Sequence, residues 1–326
     1  MRTITNKVGL PVPFYNACAN EDYIGGGDIS ITRLINPPRI TTLRKFHEDE
    51  IVEDATERVW SVLGKAAHKV LELSAGNDPD IIVETRLSMP FQGILVNEDY
   101  LKWNLTGQPD VYHNGILYDY KITSVWSVIF GKDEWDKQMN LQAMLHRYKG
   151  DKVEQAFIVA ILRDWQKRKA QFEKDYPPEN VKRIGIPLWT QEQAVAYAKE
   201  RVTLHQRAQR AYAVDHDDKV LPMCTDEERW YRGSGYAVVK MDATGKKNKR
   251  ADRVFNTVGE AQKYIAENAA TLPKGKVFAP VEERKGEYIR CQSYCDVWRF
   301  CAFGRALHAK MDESNGSIAD VEENAF

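Results

Sequence analysis

W-N-L-T-G-Q-P-D-V-Y-H-N-G-I-L-Y-D-Y-K-I-T, residues 103–123, reads as two β-strands joined at Asn114-Gly115. Asn-Gly between apolar, β-prone runs is the strongest short hairpin signal, because both turn residues must accept a positive φ. With those two as the turn, His113 faces Ile116, Tyr112 faces Leu117, Val111 faces Tyr118 and Asp110 faces Asp119. Opposed carboxylates repel unless a cation sits between them. Lys121 follows Asp119 by two residues and so points to the same face of the sheet. Asp, Asp and Lys on one patch suit a divalent cation with an ammonium beside it. They would equally suit a solvated face with a weak Lys–Asp pair.

Outward from the hairpin, residues 50–73 carry Val52, Val59, Trp60, Leu63, Ala67, Val70 and Leu71 at helical spacing, and Asn77-Asp78-Pro79 ends that helix. Gly64, His68 and Glu72 share one of its faces, and a small residue one turn before the histidine would admit another chain or a ligand. Strands are expected at 81–89, which holds Glu84, and at 93–96. After the hairpin come a helix over 134–148, with Gln138 and Gln142 one turn apart, and an apolar strand over 153–162. A further strand is expected over 184–188. Thr190 and Gln193 form a capping box that opens a helix to about Tyr212. Helix, three strands, helix and strand make a mixed sheet flanked by helices, an α/β fold.

Beyond residue 214 the character changes. Cys224 precedes a second capping box, Thr225 and Glu228, at an expected helix start, a position that favours thiolate. Short strands at 236–241 and 253–256 flank a basic loop, and a helix is expected over 258–270. Cys291, Cys295 and Cys301 follow, the first two on one side of a helix. The expected divisions are a loose lead-in at 1–27, a core at 28–214, a cysteine-containing subdomain at 215–310 and a disordered acidic tail at 311–326.

The chain has 43% hydrophobic and 29% charged residues, as in soluble globular proteins. No apolar run reaches the length of a membrane span, and the N-terminus lacks the apolar region of a signal peptide. An intracellular protein without a membrane partner is the expectation, and its five cysteines are then thiols or metal ligands rather than disulfides. Net charge is −1, yet residues 311–326 hold five acids and no Lys or Arg, so residues 1–310 carry +4. The basic clusters at 163–174 and 246–253 are compatible with a phosphate backbone.

Taken together, G-Q-P-D (107–110), D-Y-K (119–121), G-x-x-x-H (64–68) and Q-M-N-L-Q (138–142) resemble the PD-(D/E)XK nuclease superfamily, its RecB-like branch in particular. The order His helix, Asp strand, Asp-x-Lys strand, Gln helix is similar as well. The S-I-T-R-L-I-N-P-P start, R-D-W after a strand and the Cys-rich end look like phage-encoded exonucleases of that branch. The resemblance spans roughly residues 28–305. It implies a restriction-endonuclease-like core and a deoxyribonuclease, an exonuclease on linear duplex or single-stranded ends in phage recombination, replication or repair. The alternatives are a flap or branch endonuclease and a catalytically silent DNA-binding scaffold. A single-strand annealing protein or a helicase would be its partner.

The resemblance also implies roles. His68, Asp110, Asp119 and the backbone carbonyl of Tyr120 would hold Mg²⁺ or Mn²⁺. Lys121 would serve the attacking water, Gln138 would position substrate or lysine, and Glu84 would be an outer-shell acid. Gln142 stands where the branch usually has tyrosine. Trp126, Trp135 and Trp165 are candidates for stacking on bases, or for the core. Several relatives carry a [4Fe–4S] cluster on one remote and three C-terminal cysteines. Here the spacing is C-x₃-C-x₅-C rather than C-x₂-C-x₅-C, and Asn36-Pro37 stands where the remote Cys-Pro would be. Cys224 is the candidate fourth ligand and Cys18 the runner-up, for an Fe–S cluster or Zn²⁺ that would staple the C-terminal segment to the core.

Overall fold

The structure is a computed structural model that describes residues 2–20, 27–76, 78, 80–96 and 99–323, with 314–323 by backbone alone. The chain is mixed α/β and divides into two compact units, Met1–Pro222 and Met223–Phe326. The break falls at Pro222 because the stretch beyond the last long helix of the first unit is still tied back to it. Arg39 Nη1 meets Asp218 Oδ2 at 2.9 Å, both side chains being buried.

The first unit is built on a five-stranded sheet, ordered Val181–Gly185, Gln155–Leu162, Ile116–Thr123, Val111–His113 and Ile81–Val83. The Ile116–Thr123 and Gln155–Leu162 strands are parallel, and every other pairing is antiparallel. The register across Asn114-Gly115 is Val111 to Tyr118, Tyr112 to Leu117 and His113 to Ile116, as the turn dictates. Both turn residues have positive φ, 47° and 81°. The hairpin is shorter than its sequence pattern suggests. Residues 103–107 belong instead to the strand Asp99–Gly107 of a second sheet, paired with Leu87–Val96 and Ile29–Ser30. Pro109 offers no N–H to a ladder, so the chain leaves one sheet and enters the other across Gln108–Asp110.

The helix Asp133–Lys149 packs into both apolar clusters of this unit. Met139 and Ala143 join Leu117, Ile158 and Ala160 in one. Leu141, Met144 and Leu145 join Leu34, Leu87, Leu105 and Val202 in the other. Trp135 is buried in the first cluster, so it belongs to the core and not to a base-stacking surface. The capping box of Thr190 and Gln193 opens the helix Gln191–Asp215.

Two expectations fail near the N-terminus. Residues 2–20 are not a loose lead-in: Thr3–Thr5 pairs with Val52–Asp54, and Val12–Ala19 is a helix. That pairing takes Val52 into a strand, and the His68 helix begins only at Val59, running to Leu73. Its Trp60, Leu63, Val70 and Leu73 are exposed. Gly25, Gly26, Asn77 and Pro79 lie outside the described residues.

In the second unit, Gly235–Val238 lies between Arg253–Phe255 and Glu282–Arg284, over a small core of Ala237, Val239 and Ala279. The helix Val258–Asn268 is opened by a capping box of Thr257 and Glu260. The acidic tail, expected to lack structure, continues the helix Ala302–Glu323. Residues 311–323 contain no proline and one glycine, so nothing in them forces a stop. Among the described residues, no helix is long and apolar enough to cross a membrane.

Candidate functional site

The site forms where the chain crosses between the two sheets of the first unit. Asp110 sits at the end of that crossing, and its Oδ2 accepts the backbone N–H of Tyr120 at 2.6 Å. Its own carbonyl accepts the N–H of Glu84 at 3.2 Å. Glu84 has φ +47°, a left-handed conformation that is uncommon for a residue with a Cβ and marks local strain. That conformation is held by this hydrogen bond and by the side chain, whose Oε2 accepts from Gln108 Nε2 at 2.6 Å. His68 reaches the same point from its helix, with Nδ1 3.3 Å from Asp110 Oδ1. Glu84 Oε1 lies 3.7 Å from the same nitrogen, an electrostatic contact rather than a hydrogen bond.

Asp119, on the Ile116–Thr123 strand, is almost wholly buried. Its Oδ1 accepts from Gln138 Nε2 at 2.8 Å. Its Oδ2 lies 2.5 Å from Lys121 Nζ, an ion pair outside good hydrogen-bond alignment, so this buried oxygen has no aligned donor. Lys121 and Asp119 meet because residues two apart on a strand share a face.

Charge in the site follows from these neighbours. Burial holds the Asp119 carboxyl above the usual range; Lys121 opposes that shift and Asp110 adds to it. His68 is pushed up to about 10, first by Asp110 and then by Glu84, against burial. His68 in turn is the largest influence lowering Glu84, against burial. An imidazolium and an ammonium thus stand among three acids.

The donor set is one imidazole nitrogen with carboxylate oxygens, which suits Mg²⁺ or Mn²⁺ rather than a soft metal. The ligand atoms of His68, Glu84 and Asp110 all lie within 4.8 Å of one another. His68, Glu84 and Asp110 thus fit a divalent cation, while Asp119 stands beside them, joined to Lys121 and Gln138.

His68, Asp110, Asp119, Lys121 and Gln138 therefore converge, from one helix, one loop, one strand and a second helix. Glu84, expected in an outer shell, stands with His68 and Asp110, its ligand atom within 4.8 Å of theirs, on a left-handed backbone. Tyr120 contributes its N–H to Asp110. Gln142 is buried one turn beyond Gln138, with Oε1 lacking a partner. Gln108, which orients Glu84, was given no role from sequence; its place immediately before Pro109-Asp110 was the available signal. A Cβ on Gly64 would meet nothing within 4 Å, so no close neighbour requires a glycine there. Trp165 donates to Pro177 O at 2.9 Å and packs on the core, whereas Trp126 is exposed and stacked on Phe130.

Cys224, Cys291, Cys295 and Cys301 all lie in the second unit, with free thiols. The Cys224 thiol is pushed up to about 12, chiefly by burial, then by Glu228 and by the other three thiols. Cys295 is pushed up to about 11 by burial, with Cys291 adding to the rise. The expected thiolate at Cys224 is thus corrected. The Thr225–Glu228 box exists, with both of its hydrogen bonds, but closes only a turn and starts no helix. Cys291 and Cys295 do not share a helix either, since Ile289–Ser293 stops before Cys295. A helix this short is marginal by itself. What brings Cys224 back to the others is strand pairing of Tyr231 with Tyr288, extended by Arg290 N–H to Arg229 O at 3.1 Å. A group bound by these four would close a loop inside the second unit rather than staple it to the first. Cys18 is buried in the first unit, its carbonyl accepting from Arg58 at 2.9 Å.

No family model and no curated protein matches this chain. Among solved structures it is similar to one titled "Crystal structure of SSO0001", at 14% identity over 59% of this chain and 84% of that one, with a TM-score of 0.41.

Proposed function

We propose that the first unit is a divalent-metal-dependent deoxyribonuclease with a restriction-endonuclease-like core, of the RecB-like PD-(D/E)XK kind, acting on DNA ends as an exonuclease in phage recombination, replication or repair. The observation that carries this reading is that the ligand atoms of His68, Glu84 and Asp110 lie within 4.8 Å of one another, with Asp119, paired to Lys121 and Gln138, close enough to act on His68.

Hydrolysis of a phosphodiester forms a P–O bond to water and breaks the P–O3′ bond, with the leaving oxygen taking a proton. Mg²⁺ or Mn²⁺ bound by Asp110, Asp119, His68 and the Tyr120 carbonyl would neutralise phosphate charge and acidify water. Ligation requires a neutral His68, so binding releases its proton. Lys121, once separated from Asp119, is placed to orient the attacking water. Gln138 holds Asp119 from one side, and Gln108 holds Glu84 in reach of His68.

In the second unit, Cys224, Cys291, Cys295 and Cys301 would supply the ligands of a [4Fe–4S] cluster, or of Zn²⁺. Absorbance near about 400 nm would mark the cluster; a colourless chain with stoichiometric zinc would replace it.

Linear duplex, single-stranded and covalently closed circular DNA, each with Mn²⁺ or Mg²⁺, separate the readings. Wild type is expected to degrade linear DNA and spare circles, and Asp119→Ala to do neither. Cleavage of circles would replace the exonuclease with an endonuclease. Absence of metal-dependent cleavage on every substrate would leave a DNA-binding scaffold.

A further inference from the structure

A cavity of about 380 Å³ opens where the two parallel strands of the first unit end. Val125 and Trp126 follow the Ile116–Thr123 strand, Asp164 and Gln166 follow the Gln155–Leu162 strand, and all four line it. The carboxyl ends of parallel strands are where α/β sheets leave a crevice for ligands. Arg163 N–H donates to Thr123 O at 3.0 Å and Val125 N–H to Asp164 Oδ1 at 2.7 Å, so the two segments are tied together and the walls are preformed. Val125, Ile129, Trp126 and Tyr176 make those walls apolar and aromatic. Trp126 is 58% exposed and lies on Phe130, 78% exposed, with ring centroids 5.6 Å apart and planes 11° from parallel. Two large rings stacked in the open leave apolar area that the fold does not bury, and a flat aromatic ligand extends such a stack.

Charge decides which part of a nucleotide enters. Asp164, Glu173 and Asp175 line the cavity against Lys169 and Lys174. Asp164 is spent on Val125, and Lys169 lies over the Tyr176 ring, 5.8 Å from its centroid, which leaves two acids against one ammonium. A phosphate is disfavoured there, whereas carboxylates accept from the exocyclic amine of a base. Lys167 and Arg168 do not line the cavity; they are exposed on the helix Lys167–Phe172, directly after Gln166, where a phosphate backbone meets no acid of the cavity. Val125 follows Lys121 by four residues, roughly 13 Å of extended chain, so an occupant lies close to the acidic site.

We infer that this cavity takes an unpaired base of a single nucleic-acid strand, stacked on Trp126, while Lys167 and Arg168 hold phosphates beside it. The inference rests on the nuclease reading and adds to it the path of the strand past Lys121. A base paired in a duplex is not offered to the cavity, because extruding it costs the stacking and pairing it already has.

The test is equilibrium binding to the full chain in EDTA, where nothing is cut. The probes are a single-stranded oligo(dC), the same backbone with abasic sites throughout, and a blunt duplex. Wild type is expected to bind the oligo(dC) about tenfold tighter than the abasic strand, the effect of one stacked base, with its tryptophan fluorescence quenched on binding. Trp126→Ala, at an exposed position, is expected to remove that difference. Trp126→Phe, which keeps a ring, is expected to retain most of it and to lose the Trp126 share of the quenching. Lys167→Ala combined with Arg168→Ala is expected to weaken both single strands alike. Equal binding of oligo(dC) by wild type and Trp126→Ala would overturn the inference. So would a Trp126 effect as large on the duplex as on the single strand, or tight binding of free deoxycytidine, which would make the cavity a site for a small ligand. Cleavage measured in parallel with Mn²⁺ keeps the two readings apart. Cleavage with Trp126-independent binding sinks the base pocket alone, and Trp126-dependent binding without cleavage sinks the nuclease alone.

Discussion

The acidic site of the first unit and the cysteine group of the second are both candidate metal centres, and they are prepared in opposite ways. In the first, charges of both signs are already present, with the acids in excess: His68 and Lys121 stand among Glu84, Asp110 and Asp119. On the proposed function, a cation bound there would take the place of a proton on His68, within a fold whose elements are already formed. In the second, burial keeps the thiols of Cys224 and Cys295 protonated, near about 12 and about 11. Only a bound metal would draw off those protons, and it would close the loop between Cys224 and Cys291. On the proposed function, the first arrangement would serve chemistry and the second would hold structure.

That contrast is sharpest in paired measurements of cleavage and stability. Asp119→Asn is expected to lower DNA cleavage by about 10³-fold or more, since it removes a charge that acts on the reacting phosphate. Its melting temperature should equal or exceed that of wild type, because burial already disfavours the carboxylate. A variant that melts earlier would show that the acids serve the fold. Cys295→Ser should do the reverse: it loses the bound metal or colour and unfolds the second unit several kcal/mol more easily, while cleavage per folded molecule stays within about threefold. Metal content, thermal melting and a nuclease assay on one preparation read all three.

A third test separates acid effects on the fold from those on the site. His205 is fully buried; Nε2 donates to Leu34 O at 3.0 Å and Nδ1 has no partner. Burial pushes it down to about 4 from an ordinary 6.5. The unfolded chain takes up this proton below about 6.5 and the folded one only below about 4. Its stabilising effect is therefore complete above pH 6.5 and lost between about 6.5 and 4, a loss of about 3 kcal/mol. Urea midpoints at pH 7 and pH 5 should differ more for wild type than for His205→Gln. The smallest effect concerns Gly64. With open space around it, Gly64→Ala should raise stability by about 1 kcal/mol. If cleavage falls as stability rises, DNA lies against that face of the His68 helix.

The site was more legible in the sequence than the fold around it. Asn114-Gly115 sets the register by local turn chemistry, and a strand repeats every two residues, so Asp110, Asp119 and Lys121 could be placed on one patch without any tertiary information. The sheet membership of residues 103–107 could not, because β-propensity does not say which strand lies alongside; only Pro109 hinted at the crossing. The placing of Glu84 beside His68 was not legible for a related reason. Its role depends on a left-handed φ imposed by the Asp110 carbonyl and by Gln108, contacts made across 24 and 26 residues of chain. Helix starts at Gln191 and Val258 were readable because capping boxes are local. The same box at Thr225 closes a turn and no more, since the chain turns at once into a strand pairing with Tyr288. Cys291 and Cys295 share helical spacing but not a helix, a distinction that the five-residue length of Ile289–Ser293 decides.

The most direct measurement counts Mn²⁺ on the full chain by electron paramagnetic resonance, for wild type and for Asp110→Asn. At least one bound Mn²⁺ per wild-type chain is expected, lost in the variant, which still melts in a single cooperative transition. Equal Mn²⁺ binding by the two proteins, or none by wild type, would contradict it.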